Sequence, residues 1–271
     1  MTTHRAAVCG SPIRHSLSPV LHDAAYRALG LTNWTYGRIH IEAEELAEWV
    51  HSLDDSWRGL SLTMPLKEAA FAVAHTVSEV AEAVGAINTL VRDDDGWSGH
   101  NTDVYGIVRA LAEAGVTDIT HAVVVGSGAT ARSALAALAE VGALDVSLMV
   151  RAAVRPDTAS VARLLGLGQL SVPMGRWPED VDVVIGTVPP HAYAAMLQHL
   201  PRAPHVAAVL DCVYGQGASP LLAAGAAKGY VPVSGTEMLL HQAAEQVRLM
   251  TGQAPPVAAM RAALQAATAD H

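Results

Sequence analysis

Apolar positions along this chain fall into short runs separated by longer amphipathic stretches, and this alternation predicts strands and helices arranged in α/β layers. Residues 6–9 predict a strand, and Ser18-Pro19 opens a helix with a capping hydroxyl and a proline at the first helical position, ending near Gly30. A strand over 36–41, a helix over 42–51 and a strand over 60–63 follow, the last running into Met64-Pro65-Leu66-Lys67. Residues 78–84 predict a short helix stopped by Gly85. Residues 88–91, with the turn Asp93-Asp94-Asp95-Gly96, predict a hairpin. A helix from Asp103 to Ala114, stopped at Gly115, bridges to further strands over 122–125, 146–150, 181–188, 206–213 and 230–233, whose intervening segments read as helical. From Thr236 onward the pattern changes to two helices, one to about Met250 and one from Pro256 to about Ala267. At least the first of these is expected to pack back on the N-terminal part.

The turn Gly126-Ser127-Gly128-Ala129-Thr130-Ala131 stands between the strand 122–125 and a helix over 130–141. Glycines there let the chain reverse and the backbone approach a pyrophosphate, while the helix N-terminus offers free N–H groups to the anion. Ala131 satisfies the third position of the fingerprint, where the demand is for tight helix–strand contact. The next strand ends at Arg151, with Arg155 beyond it, where an NAD-binding protein usually carries an acid. Asp145 and Asp157 are both misplaced to accept from a ribose 2′-hydroxyl, whereas Arg151 and Arg155 can pair with a 2′-phosphate. The pattern predicts NADP. Taken without context, the same residues also describe a glycine turn in another α/β sheet and two arginines in a solvated loop.

Composition narrows the field. A chain of 271 residues suffices for two domains. Hydrophobic content of 51% and a mean hydropathy of +0.26 are high, largely through alanine. No run reaches the roughly 18 uninterrupted apolar residues of a membrane span. The net charge of −9, without a basic tract, argues against nucleic acid or an anionic membrane as partner. Cys9 and Cys212 give neither metal spacing nor a disulfide framework, and no secretory signal is visible, so a cytoplasmic location is the default expectation. The 13 histidines form no His-Glu-x-x-His or similar cluster, and no metal is expected.

Several separated motifs carry a resemblance over nearly the whole length. They are Gly10-Ser11-Pro12-Ile13-Arg14-His15-Ser16-Leu17-Ser18-Pro19 with His22, Leu62-Thr63-Met64-Pro65-Leu66-Lys67, Gly85-Ala86-Ile87-Asn88-Thr89 and Asn101-Thr102-Asp103-Val104-Tyr105-Gly106. Asp211-Cys212-Val213-Tyr214 and Gly235-Thr236-Glu237-Met238-Leu239-Leu240-His241-Gln242 complete the set. In these motifs and their order the chain resembles the shikimate dehydrogenase family, closest in character to its actinobacterial members. The resemblance implies reversible NADPH-dependent reduction of 3-dehydroshikimate to shikimate, a step in chorismate and aromatic amino acid biosynthesis, by a monomer or homodimer. It implies that Ser16 and Ser18, with Tyr214 nearby, hold the substrate carboxylate, and that Thr63, Lys67, Asn88, Asp103 and Gln242 surround the ring hydroxyls. Lys67 and Asp103 would be the catalytic pair. Thr187, Val188, Gly235 and Met238 would join the glycine turn and the two arginines around the cofactor. The expected architecture is a two-domain α/β protein: residues 1–104 with 238–271 form a substrate domain, 105–237 a Rossmann-type NADP domain, and the cleft lies between them.

Each residue also has a plainer reading. Ser18 and Asp103 are ordinary helix-start residues, Asn88 an ordinary turn residue, Gln242 an ordinary polar residue on an amphipathic helix, and Tyr214 a packing residue with a wet hydroxyl. Lys67 is one of only two lysines, with Lys228, which draws notice without assigning a role. The chain departs from the family at the basic loop, where Val150-Arg151-Ala152 with Arg155 keeps the cations but loses an asparagine and a threonine. It departs also at Ala129-Thr130, at the loop 185–190, at the glycine-rich stretch 215–220 and at Ser234. These changes bear on cofactor affinity and selectivity. The alternatives are a quinate or other cyclitol-acid dehydrogenase with NAD or relaxed cofactor use, and a non-catalytic ligand-binding paralogue on the same fold.

Overall fold

The computed structural model describes residues 3–116, 119–143, 145–194, 196–215 and 217–269. Gln216, within the glycine-rich stretch noted above, lies outside them. The chain divides into two compact units, Met1–Thr102 with Leu239–His271, and Asp103–Met238.

The first unit begins with β1 (His4–Gly10), α1 (Ser18–Ala28), β2 (Trp34–His40), α2 (Leu46–His51), β3 (Trp57–Leu62) and α3 (Leu66–Ala69). β4 (Thr76–Val77), α4 (Glu79–Val84), β5 (Thr89–Arg92) and β6 (Trp97–His100) follow. Its sheet has the order β2-β1-β3-β5-β6-β4. The strands β1, β2 and β3 are mutually parallel, so the loops after β1 and β3 leave the same edge, while β5 and β6 form the expected antiparallel hairpin. The central strands bury nearly every side chain, as parallel strands covered on both faces must. Two local readings change. Leu17, not Ser18, is the N-cap of α1; Ser18 is already helical and buried, because the hydroxyl of Ser16 takes the N–H of Ser18 at 3.3 Å. The helix expected over 42–51 is only α2, because the Glu45 carboxylate bonds the N–H of Glu42 at 3.0 Å and holds the preceding residues as a turn.

The second unit comprises α5 (Asp103–Glu113), β7 (His121–Val125), α6 (Ala129–Glu140), β8 (Asp145–Val150), α7 (Pro156–Leu164), β9 (Gly168–Pro173), β10 (Val183–Gly186), β11 (Ala208–Asp211), α8 (Pro220–Ala227) and β12 (Val231–Ser234). Its sheet is parallel throughout, in the order β12-β11-β10-β7-β8-β9. Numbered within the unit that order reads 6-5-4-1-2-3, the doubly wound dinucleotide-binding arrangement, whose switch point, where such sheets bind ligands, lies beyond the C-terminal ends of the paired strands β7 and β10. The structure thus has the anticipated α/β fold class, a Rossmann-type unit following an N-terminal α/β unit.

The chain then forms α9 (Gly235–Thr251) and α10 (Val257–Thr268). From Leu239 onward both belong to the first unit: α10 packs on α1, and α9 meets β3 through Gln246, which accepts from Ser61, and through Met250 beside Gly59. Gly59 of β3 makes that approach possible, since a Cβ there would lie 2.5 Å from the Met250 side chain.

Candidate active site

At the common edge of β1 and β3 the two loops are stitched together. Thr63 N donates to Cys9 O at 3.0 Å and Ser11 N to Met64 O at 2.9 Å. Gly10 is required at the crossing: its φ of +157° is one that side chains avoid, and a Cβ would sit 2.5 Å from Thr63 Cγ2. This contact fixes Thr63 beside the loop carrying Ser16 and Ser18, whose hydroxyls are 3.2 Å apart with Ser16 donating. Arg38 of β2 braces the same loop, donating through Nε and Nη2 to Ser16 O at 3.1 and 2.7 Å. Lys67 lies in α3, half-buried, its carbonyl accepting from Ile87 N at 2.8 Å, so its backbone is tied to the segment that delivers Asn88.

Asn88 is buried and bonded at both ends of its carboxamide. Its Oδ1 accepts from Thr102 N and from the Thr89 hydroxyl, both at 2.8 Å, and its Nδ2 donates to Thr102 Oγ1 at 3.0 Å and to Gln242 Oε1 at 3.4 Å. Two acceptors and two donors thus fix which end of the carboxamide is oxygen. Asp103 is the next residue after Thr102 and is buried at the start of α5. One turn beyond Gln242, Gln246 continues the polar row: its Nε2 donates to Thr89 Oγ1 at 2.9 Å and its Oε1 accepts from Ser61 Oγ at 2.8 Å. Tyr36 donates to Ser61 at 2.6 Å, and His22 stacks on Tyr36 with ring centroids 3.9 Å apart. His22 contacts Gln246 Oε1 through Nε2 at 3.4 Å and the Tyr26 hydroxyl through Nδ1 at 3.5 Å, a geometry that suits the neutral ring with its proton on Nε2. Burial drives the His22 pKa down to about 3, against a smaller opposing effect of the Gln246 bond.

In the second unit the glycine turn meets its specification. Gly126 has φ +118°, its N–H bonds Met149 O at 3.0 Å, and a Cβ there would collide with the Thr187 hydroxyl and Val188. Thr187 is held in turn, its N and Oγ1 donating to Val125 O at 3.0 and 2.7 Å. Gly128 is the N-cap of α6, with no side chain capping the helix and nothing within 4 Å of the position of a Cβ. Such a turn, with uncapped N–H groups at the head of a 12-residue helix, fits a pyrophosphate. Arg151 and Arg155 are exposed after β8, where cations fit a 2′-phosphate. Gly235 and Met238 are buried at the start of α9, and a Cβ on Gly235 would lie 2.5 Å from Asp211 O. Tyr214 is half-buried just after β11, in a loop secured by Asp211. That carboxylate accepts from Tyr193 OH at 3.0 Å, Val213 N at 3.1 Å and Ser219 Oγ at 2.5 Å. Burial raises the Asp211 pKa, and the Ser219, Val213 and Tyr193 bonds oppose the rise.

Residues 8–90 match the model of the shikimate dehydrogenase substrate binding domain, and residues 235–265 that of the shikimate 5′-dehydrogenase C-terminal domain. The NADP(+) shikimate dehydrogenase of Methanothermobacter thermautotrophicus is 34% identical, across 97% of this chain and 96% of its own. The chain belongs to the shikimate dehydrogenase family. Among solved family members, the Mycobacterium tuberculosis enzyme superimposes with a TM-score of 0.88 at 40% identity, covering 97% of this chain and 99% of that one. The Thermus thermophilus enzyme, solved in complex with NADP(H) and shikimate, superimposes with a TM-score of 0.87 at 31% identity, covering 98% of this chain and all of its own.

Within this family setting, several residues that shape the site escaped sequence reasoning. Thr102 was visible only as part of a motif. Gln246 had a usable signal, since it stands four residues after Gln242 and shares its helix face. Thr89, like Thr102, was visible only as part of a motif, and Ser61 and Arg38 had no signal, because strand partners are not spaced along the chain. No helix among the described residues is long and apolar enough to cross a membrane.

Proposed function

We infer that this chain is an NADP-dependent shikimate dehydrogenase, which reduces 3-dehydroshikimate reversibly to shikimate in the route to chorismate and the aromatic amino acids. The observation that carries the reading is the buried cluster of Asn88, Thr102 and Gln242, joined by hydrogen bonds although up to 154 residues apart. In this proposal residues 1–104 and 238–271 bind substrate and 105–237 bind NADP. Ser16 and Ser18, with Tyr214, take the substrate carboxylate. Thr63, Lys67, Asn88, Asp103 and Gln242 take the ring oxygens. The pyrophosphate rests on Gly126, Ser127, Gly128, Ala129, Thr130 and Ala131, the 2′-phosphate on Arg151 and Arg155, and Thr187, Val188, Gly235 and Met238 complete the cofactor contacts. A cytoplasmic monomer or homodimer completes the reading.

When bound, the dinucleotide supplies the hydride that the ketone carbon takes up. Negative charge then grows on the ketone oxygen, and an ammonium there stabilises the transition state more than the ground state. Lys67 fills this role and passes its proton to that oxygen during reduction. In oxidation its free amine accepts the hydroxyl proton, directly or through a water. Asp103 orients the amine and holds its charge, and the proton belongs to the pair rather than to one member. A metal ion is not needed to polarise the ketone in this scheme.

The test is turnover of shikimate and of quinate with NADP+ and with NAD+, followed by the absorbance of the reduced nicotinamide. Shikimate with NADP+ is the expected fastest pair. Faster quinate oxidation with NAD+ would favour the cyclitol-acid reading, to which the loss of polar neighbours around Arg151 gives some support. Ligand binding without any turnover would favour the non-catalytic one.

A further inference from the structure

Arg151 of the basic loop is flanked by Val150, which is buried in β8, and by Ala152, which has no side-chain donor. The loop is nevertheless tied down from the other side. Arg155 N donates to Ser127 Oγ at 2.7 Å, and Thr158 Oγ1 donates to Ser127 O at 2.9 Å. Both oxygens of one glycine-turn residue therefore hold the start of α7. Thr158 is completely buried, so its bond is protected from water, and no side chain of the helix's own N-cap residue competes for the position.

We propose that Ser127 is a specificity-determining residue for the cofactor: its hydroxyl locks the backbone of Arg155 and thereby organises the two-arginine loop for a 2′-phosphate. The inference rests on the cofactor half of the function proposed above. Arg155 is exposed, and an exposed arginine whose backbone is not held gives up side-chain and backbone freedom on binding an anion. Fixing its N–H in advance removes part of that cost. The same bond commits the Ser127 hydroxyl to a backbone donor, so the side chain's contribution falls on the phosphate that distinguishes NADP from NAD, while the pyrophosphate common to both meets the backbone of this residue. The loop is thus anchored through the glycine turn and not by side chains flanking Arg151.

The test measures binding of 2′,5′-ADP and of 5′-AMP by calorimetry to the wild-type protein and to S127A, S127T and T158V, each first confirmed to be folded by its thermal melt. The wild type is expected to prefer 2′,5′-ADP. S127A should narrow that preference by about three- to tenfold, the worth of one backbone hydrogen bond, and S127T should restore most of it. T158V, which removes the second tie, should narrow it in the same direction and provides the answer where S127A does not fold. An unchanged preference in S127A and T158V, or an equal loss of affinity for both nucleotides, would overturn the proposal. Absence of any preference in the wild type would overturn both it and the NADP assignment. Failure of the catalytic reading shows elsewhere, as absent shikimate turnover in a protein that still prefers 2′,5′-ADP.

Discussion

Gln246 and Thr89 meet through a single hydrogen bond of 2.9 Å, and the Thr89 hydroxyl in turn donates to Asn88 Oδ1. A helix from the end of the chain thus decides how a carboxamide on the central hairpin is turned. Replacing Gln246 by Met keeps the volume but leaves the buried hydroxyls of Ser61 and Thr89 short of a partner, at about 1–3 kcal/mol for each group left unsatisfied. We expect Q246M to lower the Tm and to raise the KM for shikimate. Thermal melts and steady-state kinetics check this, and an unchanged KM would show that Asn88 is held without the glutamine.

Loss of the ammonium should act on the chemical step. Lys67→Ala is expected to lower kcat at least about a hundredfold, the usual scale for a positioned proton donor, with a smaller change in KM. Asp103→Asn should keep the fold and lose activity comparably, because the amine loses its orienting charge. Near-native kcat in either folded variant would remove the assignment.

Asp211 joins the two ends of the loop bearing Tyr214, through Val213 at its start and Ser219 at its end. Asp211→Asn preserves size but presents an NH2 group to at least one donor. The expected result is a severalfold higher KM for shikimate and greater protease sensitivity around residues 213–219. Limited proteolysis followed by mass spectrometry reads the second effect directly.

His22 gives the pH dependence a sign. Its folded pKa is pushed down to about 3, below the ordinary value of 6.5, so between these values the unfolded chain binds the proton and the folded protein does not. Its contribution to stability is complete above pH 6.5 and is lost as pH falls toward 3. We expect His22→Phe, which keeps a ring on Tyr36, to flatten the decline in Tm between pH 7 and pH 5. An equally steep decline in the variant would place the acid sensitivity in other groups.

The sequence made much of this legible for identifiable reasons. The uninterrupted valines of β7 and the glycines after them can scarcely form anything else, and Gly85 and Gly115 stop their helices with the expected positive φ, 64° and 78°. β9 was hidden, since Gly168-Gln169-Leu170-Ser171-Val172-Pro173 is short, opens on glycine, closes on proline and becomes a strand only by pairing with β8. Ser18 misled because two hydroxyls stood near one helix start, and Ser16 took the N–H instead. The candidate residues were named from motifs; the bonds that hold them, such as Arg38 to Ser16 or Gln246 to Thr89, span sheet neighbours and helix faces that no local pattern records.

The discontinuity of the first unit has a bearing on synthesis. Residues 103–238 are contiguous and need no later segment to complete their unit, whereas Ser61, Thr89 and Asn88 wait for partners in the final stretch of the chain. Until α9 arrives, the nascent N-terminal sheet carries bare polar groups and an uncovered face at Gly59. Termination between residues 238 and 242 therefore yields a whole second unit joined to an unfinished first one, a product suited to chaperones and proteases rather than to metabolism.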